Sequence, residues 1–210
     1  MGNQNLLAVP LFIFMGLILE KTKIAENLIH DMNSLFKKTS SGLGISVVIV
    51  GALMAASTGI VGASVVTLGL LTYPVLVKNG YSPSLASGTI CASGTLGQVI
   101  PPSLVLILLA DVLSSSYQQA QLNMGVFSPE TITIADLFVG AILPGLILPL
   151  LYIVYLKTLK IKSIEKTKSK KFNLFNIIYP LGLMFIVLGS IIFGIATPSE
   201  AAGIGALGAI

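Results

Sequence analysis

The sequence predicts an all-α, polytopic integral membrane protein, and three observations carry that prediction. Hydrophobic residues make up 54% of the 210 and charged residues only 10%, well below the roughly 25% charged fraction of a soluble domain. The mean hydropathy is +0.95. Apolar runs at 45–77 and 137–156 contain no charge at all, and a chain this short cannot build an interior large enough to hide them from water. All twelve basic residues are lysines, and seven (Lys157, Lys160, Lys162, Lys166, Lys168, Lys170 and Lys171) crowd one stretch opposed only by Glu165. Such a cluster marks a cytoplasmic loop. No aromatic or glycine residues interleave it, so the bilayer and not a nucleic acid is the expected partner of this basic chain.

Residues 1–40 begin with a short apolar span at 6–19. A helix follows at 20–38, whose Ile24, Leu28, Met32, Leu35 and Phe36 recur at helical spacing between terminal lysines. It reads as an arm lying on the inner membrane surface, and an ordinary helix packed on protein fits the same spacing. The N-terminus has neither a basic n-region nor a cleavage signal, so no removable signal peptide is expected. At the other end GIATPSEAAGIGALGAI stops within a helix-like stretch, which reads as part of a longer polypeptide.

Residues 41–113 form the second unit. Their charge-free first part lies between Lys38 and Lys78. Two spans need about 20 residues each, whereas a central STGIVGAS leaves arms of only about 16 and 14. That length favours a re-entrant hairpin; two short spans would return to the same face and carry the same charge pattern. The chain then crosses outward at 82–113, and 114–134 is a polar loop without lysine, as an outer loop should be. Residues 135–172 return as a helix to the lysine loop, and 173–210 cross outward again.

The outward crossing is interrupted by GTLGQVIPPS at 94–103. In lipid an unpartnered backbone group costs several kcal/mol, so a break at membrane depth survives only where protein, water or an ion satisfies it. Pro101 and Pro102 remove two donors, and Gly94 and Gly97 permit non-helical turns. The freed carbonyls, with Ser93, Thr95, Gln98 and Ser103, offer neutral oxygens to a small cation such as Na⁺. A packing kink is the competing reading. A second interruption, AASTGIVGAS, brings Ser57, Thr58, Gly59, Gly62 and Ser64 to the hairpin tip. Two Gly/Pro-interrupted segments are the sequence pointer to a transporter site. The expected ion and substrate residues are therefore Ser57, Thr58, Gly59, Gly62, Ser64, Ser93, Gly94, Thr95, Gly97, Pro101, Pro102 and Ser103, with Na⁺ at Ser57, Thr58, Thr95 and Gly97 and no other cofactor.

The remaining chemistry is sparse. Cys91 reads as a small buried residue, and His30 lacks companions for a metal site. Asp111, close to the polar loop, reads as an interfacial solvated carboxylate. Glu200 fits a helix start capped by Thr197. No nucleophile–base arrangement and no phosphate-cradling G-x-x-x-x-G-K-[ST] occurs, so neither an enzyme nor direct ATP use is expected. The chain contains no arginine, so a substrate carboxylate must be held by backbone N–H groups and hydroxyls.

The run MAASTGIVGASVVTLGLLTYPVLVKNGYSPSLASGTICASGTLGQVIPPSLVLILLAD at 54–111, with AVPLFIFMGLILEKTKIAENL before it and DLFVGAILPGLILPLLY and GIATPSEAAG after it, resembles the large membrane subunit of TRAP transporters, the tripartite ATP-independent periplasmic uptake systems. Gln98 departs from the proline that many members carry there. The resemblance implies an elevator-type, Na⁺-coupled secondary transporter of the bacterial inner membrane, importing organic acids such as C4-dicarboxylates. It implies two inverted repeats, of which this chain holds the first, with 197–202 opening the second. A small membrane subunit and a periplasmic substrate-binding protein are the implied partners. A dicarboxylate symporter working without a binding protein is the alternative.

Overall fold

A computed structural model describes residues 4–21, 28, 41–58, 60–159, 161 and 175–210. Among these the fold is entirely helical: α1 Gln4–Lys21, α2 Gly42–Thr58, α3 Val61–Lys78, α4 Pro83–Thr95, a 3₁₀ turn Leu96–Gln98, α5 Leu104–Asn123, α6 Ile134–Thr158, α7 Phe175–Ile192 and α8 Pro198–Gly208. Of the surface arm expected at 20–38 only Glu20 and Lys21, which continue α1, and the buried Leu28 are described, and of the lysine stretch 157–171 only 157–159 and 161 are described.

The helix ends follow local chemistry. Ser82 accepts the N–H of Leu85 at 3.3 Å, with Pro83 at the first helical position of α4, where a missing N–H costs nothing. Thr133 with Asp136, and Thr197 with Glu200, form reciprocal capping boxes at the starts of α6 and α8, satisfying donors that a helix cannot satisfy internally. The cap expected at Thr197 is thus present.

Two hydrophobic cores organise the helices. One gathers Val47, Val48 and Val50 of α2, Leu68 and Leu76 of α3, Ala86 and Ile90 of α4 and Leu156 at the end of α6. The other gathers Phe12 and Met15 of α1, Ile107 and Ala110 of α5, Phe138 at the start of α6, Val187 and Ile191 of α7, and Ala201 and Ala202 of α8. The two halves of the broken helix therefore belong to different cores. Outside these cores α6 exposes Leu143, Leu146, Leu150 and Val154, each more than half accessible and spaced three or four residues apart. A continuous apolar stripe of this kind is a liability in water and the normal surface in acyl chains. Both α3 and α6 are long and apolar enough to cross a bilayer, and shorter apolar helices occupy Leu7–Leu19, Gly42–Met54 and Ile178–Ile192.

Three sequence expectations change. The hairpin arms are 17 and 18 residues, longer than counted, because helix resumes at Val61 and the STGIVGAS stretch is mostly helical. Polar residues from Ser114 do not start a loop: α5 continues to Asn123, supported by the side-chain bonds Gln118 to Ser114 (3.1 Å) and Gln119 to Asn123 (3.2 Å). Cys91 is exposed, because the buried face of α4 is set by Ala86, Ile90 and Ser93, and position 91 points away from it.

Candidate functional site

The break is built in three steps. Helix α4 ends at Thr95, its last turn tightening into the 3₁₀ turn Leu96–Gln98, where the Leu96 carbonyl accepts N–H groups from both Val99 (3.0 Å) and Ile100 (2.9 Å). Val99 to Pro102 then carry no helix, and the Pro101–Pro102 peptide is cis. Ser103 restarts the helix by accepting the N–H of Leu106 at 3.4 Å. In an uninterrupted helix the carbonyls of Gly97 and Gln98 would receive the N–H groups of residues 101 and 102, and proline has none. The Ser103 hydroxyl repairs one loss by donating to the Gln98 carbonyl at 3.0 Å.

Gly94 and Gly97 do not use the left-handed backbone region; among the described glycines only Gly80, Gly125 and Gly194 do. Gly94 is small for a different reason. A Cβ there would lie 3.1 Å from Val65 Cα and 3.2 Å from Val65 N, and would also collide with the Val65 side chain. The end of α4 thus rests directly on the backbone of α3, one residue beyond Ser64. Gly51 of α2 does the same on the other side, where an added Cβ would sit 2.5 Å from Ser93 Cβ. Gly145 of α6 meets Ile100 (3.3 Å to Cγ1). Three helices therefore cradle the break through glycines.

The structure places the sequence-predicted residues as follows. Ser64, Ser93 and Ser103 are buried completely, and Gly94, Gly97, Pro101 and Pro102 are also buried. Ser93 donates to Thr89 O (2.6 Å) and Thr95 to Ala92 O (2.9 Å), which leaves the lone pairs of both hydroxyls as acceptor sites. Thr95 is exposed, and Gly62 is exposed in open space. Ser57 and Thr58 lie in the last turn of α2, and Gly59 falls outside the described residues. Gly51 and Gly145 escaped the sequence reading, although a glycine inside an apolar helix is itself a signal of close approach. On the α6–α7 side, an apolar cavity of about 380 Å³ is lined by Ile100, Pro101, Leu146, Met184 and Phe185 among others. Among the described residues no group of three His, Cys, Asp or Glu side chains converges.

Asp111 lies elsewhere, half-buried in a separate pocket of about 490 Å³ with Ser114, Ser115, Gln118, Thr131 and Thr133.

Apolar helices interrupted within their length are a feature of membrane transport proteins as a class. This chain belongs to the DctM family: the family described as "Tripartite ATP-independent periplasmic transporter, DctM component" matches residues 1–210. It is 32% identical to the C4-dicarboxylate TRAP transporter large permease protein DctM of Vibrio cholerae serotype O1, over 98% of this chain and 43% of that protein. To the ectoine TRAP transporter large permease protein TeaC of Halomonas elongata it is 28% identical over 94% of this chain and 44% of the relative. The isethionate TRAP transporter permease protein DctMQ of Oleidesulfovibrio alaskensis is 27% identical over 96% of this chain and 30% of its own length. The chain spans less than half the length of each of these relatives.

Proposed function

We propose that this chain is the cation-binding half of a permease subunit in a Na⁺-coupled, binding-protein-dependent secondary transporter that imports organic acids such as C4-dicarboxylates across a bacterial inner membrane. The observation that carries this reading is the seating of Gly94 on Val65, which brings the break beside the hairpin tip within a TRAP-family permease. The Gly97 carbonyl and the Thr95, Ser57 and Thr58 hydroxyls would hold Na⁺, and backbone N–H groups would meet the substrate carboxylate, no arginine being available. The α2–α3–α4 core would travel as a re-entrant, elevator-type unit against the second core. A small membrane subunit and a periplasmic binding protein complete the assembly.

The test is uptake of radiolabelled succinate by full-length permease reconstituted with both partners. Uptake should require an inward Na⁺ gradient and the binding protein together. Undiminished uptake without the binding protein would assign the chain to a binding-protein-free symporter instead, and uptake indifferent to Na⁺ would remove the ion site.

A further inference from the structure

We infer that Tyr81 and Gly44 form a latch that positions the hairpin tip over the break, acting from the opposite end of the helices that carry the tip. The inference rests on the ion-site reading above and adds to it a pair of positioning residues.

The turn 79–82 explains why Tyr81 is available. Gly80, at φ 88°, closes α3: its N–H reaches the Val77 carbonyl (3.1 Å) while the N–H of Tyr81 reaches the Leu76 carbonyl (3.1 Å). This is the Schellman arrangement, which needs a left-handed residue and suits glycine. Asn79 spends its side chain on the Val75 carbonyl (2.8 Å), and Ser82 caps α4. Tyr81 points inward and is 3% exposed.

Its hydroxyl accepts the N–H of Gly44 at 2.9 Å, a buried bond across 37 residues of sequence. Gly44 lies in the first turn of α2, where N–H groups have no intrahelical acceptor. The turn between α3 and α4 thus caps a third helix. Only glycine fits beneath the phenol: an added Cβ at position 44 would lie 2.8 Å from the hydroxyl, 3.0 Å from ring Cε1 and 3.2 Å from Leu156 Cδ1. Burial pushes the Tyr81 phenol above its usual range, so the hydroxyl stays neutral at physiological pH.

The leverage is geometric. Helix α2 has 17 residues, and Thr58 lies seven residues, about 10 Å, beyond Gly51, so a tilt of about 5° about that point moves the tip by about 1 Å. A binding constellation tolerates only about 0.5 Å. Close packing of Gly51 on Ser93 sits near the middle of α2 and acts as a fulcrum. The bond at Gly44 fixes the rotation about it.

Full-length transporter with its partners, carrying Tyr81→Phe, Gly44→Ala or both, tests this. Tyr81→Phe should raise the Na⁺ concentration for half-maximal uptake about five-fold, the weight of one hydrogen bond, with the maximal rate and membrane abundance little changed. Amide exchange in detergent should quicken in the first turn of α2 and not in α6. Gly44→Ala should be worse, and adding Tyr81→Phe to it should restore part of the loss by removing the clashing oxygen. Unchanged exchange at α2 would abolish the latch. Faster exchange with an unaltered Na⁺ dependence would reduce it to a local cap and overturn the positioning role. Should Gly44→Ala not assemble, Tyr81→Phe, which removes a single atom, decides the matter alone. A wild-type protein with no Na⁺ dependence would defeat the ion-site reading, and the exchange data would still decide whether the bond holds the base of α2.

Discussion

The two interruptions in this membrane chain are built from similar residues and behave differently. At the hairpin tip, α2 ends at Thr58 and α3 begins at Val61, with Ile60 as an extended cap and glycine and hydroxyl residues on either side. Between α4 and α5 the chain spends eight residues, Leu96 to Ser103, on a 3₁₀ turn, an irregular stretch and a new cap. Proline makes the difference. Glycine lets a helix stop but does not prevent it from resuming, so Gly62 is absorbed into α3. Two consecutive prolines remove two donors, and Ser103 makes good the loss at the Gln98 carbonyl. The two regions differ in crowding as well: Gly62 faces open space, whereas Gly94 is pressed on the backbone of α3.

The comparison breaks hardest at Gly94. Gly94→Leu should cost roughly 1–3 kcal/mol or more from overpacking and abolish Na⁺-dependent uptake in whatever protein reaches the membrane; wild-type uptake at equal abundance would mean that the tip and the break need not touch. A smaller loss is expected at the polar contacts. Thr95→Val in the reconstituted transporter should raise the half-saturating Na⁺ concentration by about five-fold, near the worth of one ligand hydroxyl, and an unchanged titration would leave Thr95 out of the site. Gly62→Ala should produce the smallest effect. It meets no atom within 4 Å and replaces a helical glycine, so stability should rise by about 0.4–1 kcal/mol with uptake unaltered; a large loss of transport there would show that the tip closes on something the isolated chain does not display.

Much of this was legible in the sequence, for local reasons. Pro101 and Pro102 located the break, since a missing N–H is a property of the residue itself. Thr197-Pro-Ser-Glu announced a helix start because a cap and its donor lie within four residues. The length of the hairpin turn was not legible: STGIVGAS contains nothing that forbids a helix, so the packing of α3 on α4 decides where helix resumes. Cys91 was placed on the wrong face of α4 because an apolar segment with polar residues on all sides offers no clear periodicity. The reach of α5 past Ser114 was hidden in the same way, as serine and glutamine serve a helix end and a loop equally well.

The lesson extends to the candidate site. Its parts were named from composition, but their meeting rests on glycines whose role depends on partners far along the chain: Gly94 on Val65, Gly51 on Ser93, Gly145 on Ile100 and Gly44 on Tyr81. By itself the sequence determined the membrane class, the helix start at Thr197 and the position of the break, because charge, hydropathy, a cap and a lost donor act on neighbouring residues. Only the tertiary structure decided that α4 joins one core and α5 the other, and that the break lies against the hairpin. Which surfaces approach to within a missing methyl group is fixed by close packing between distant segments, and no single stretch of sequence contains both sides of such a contact.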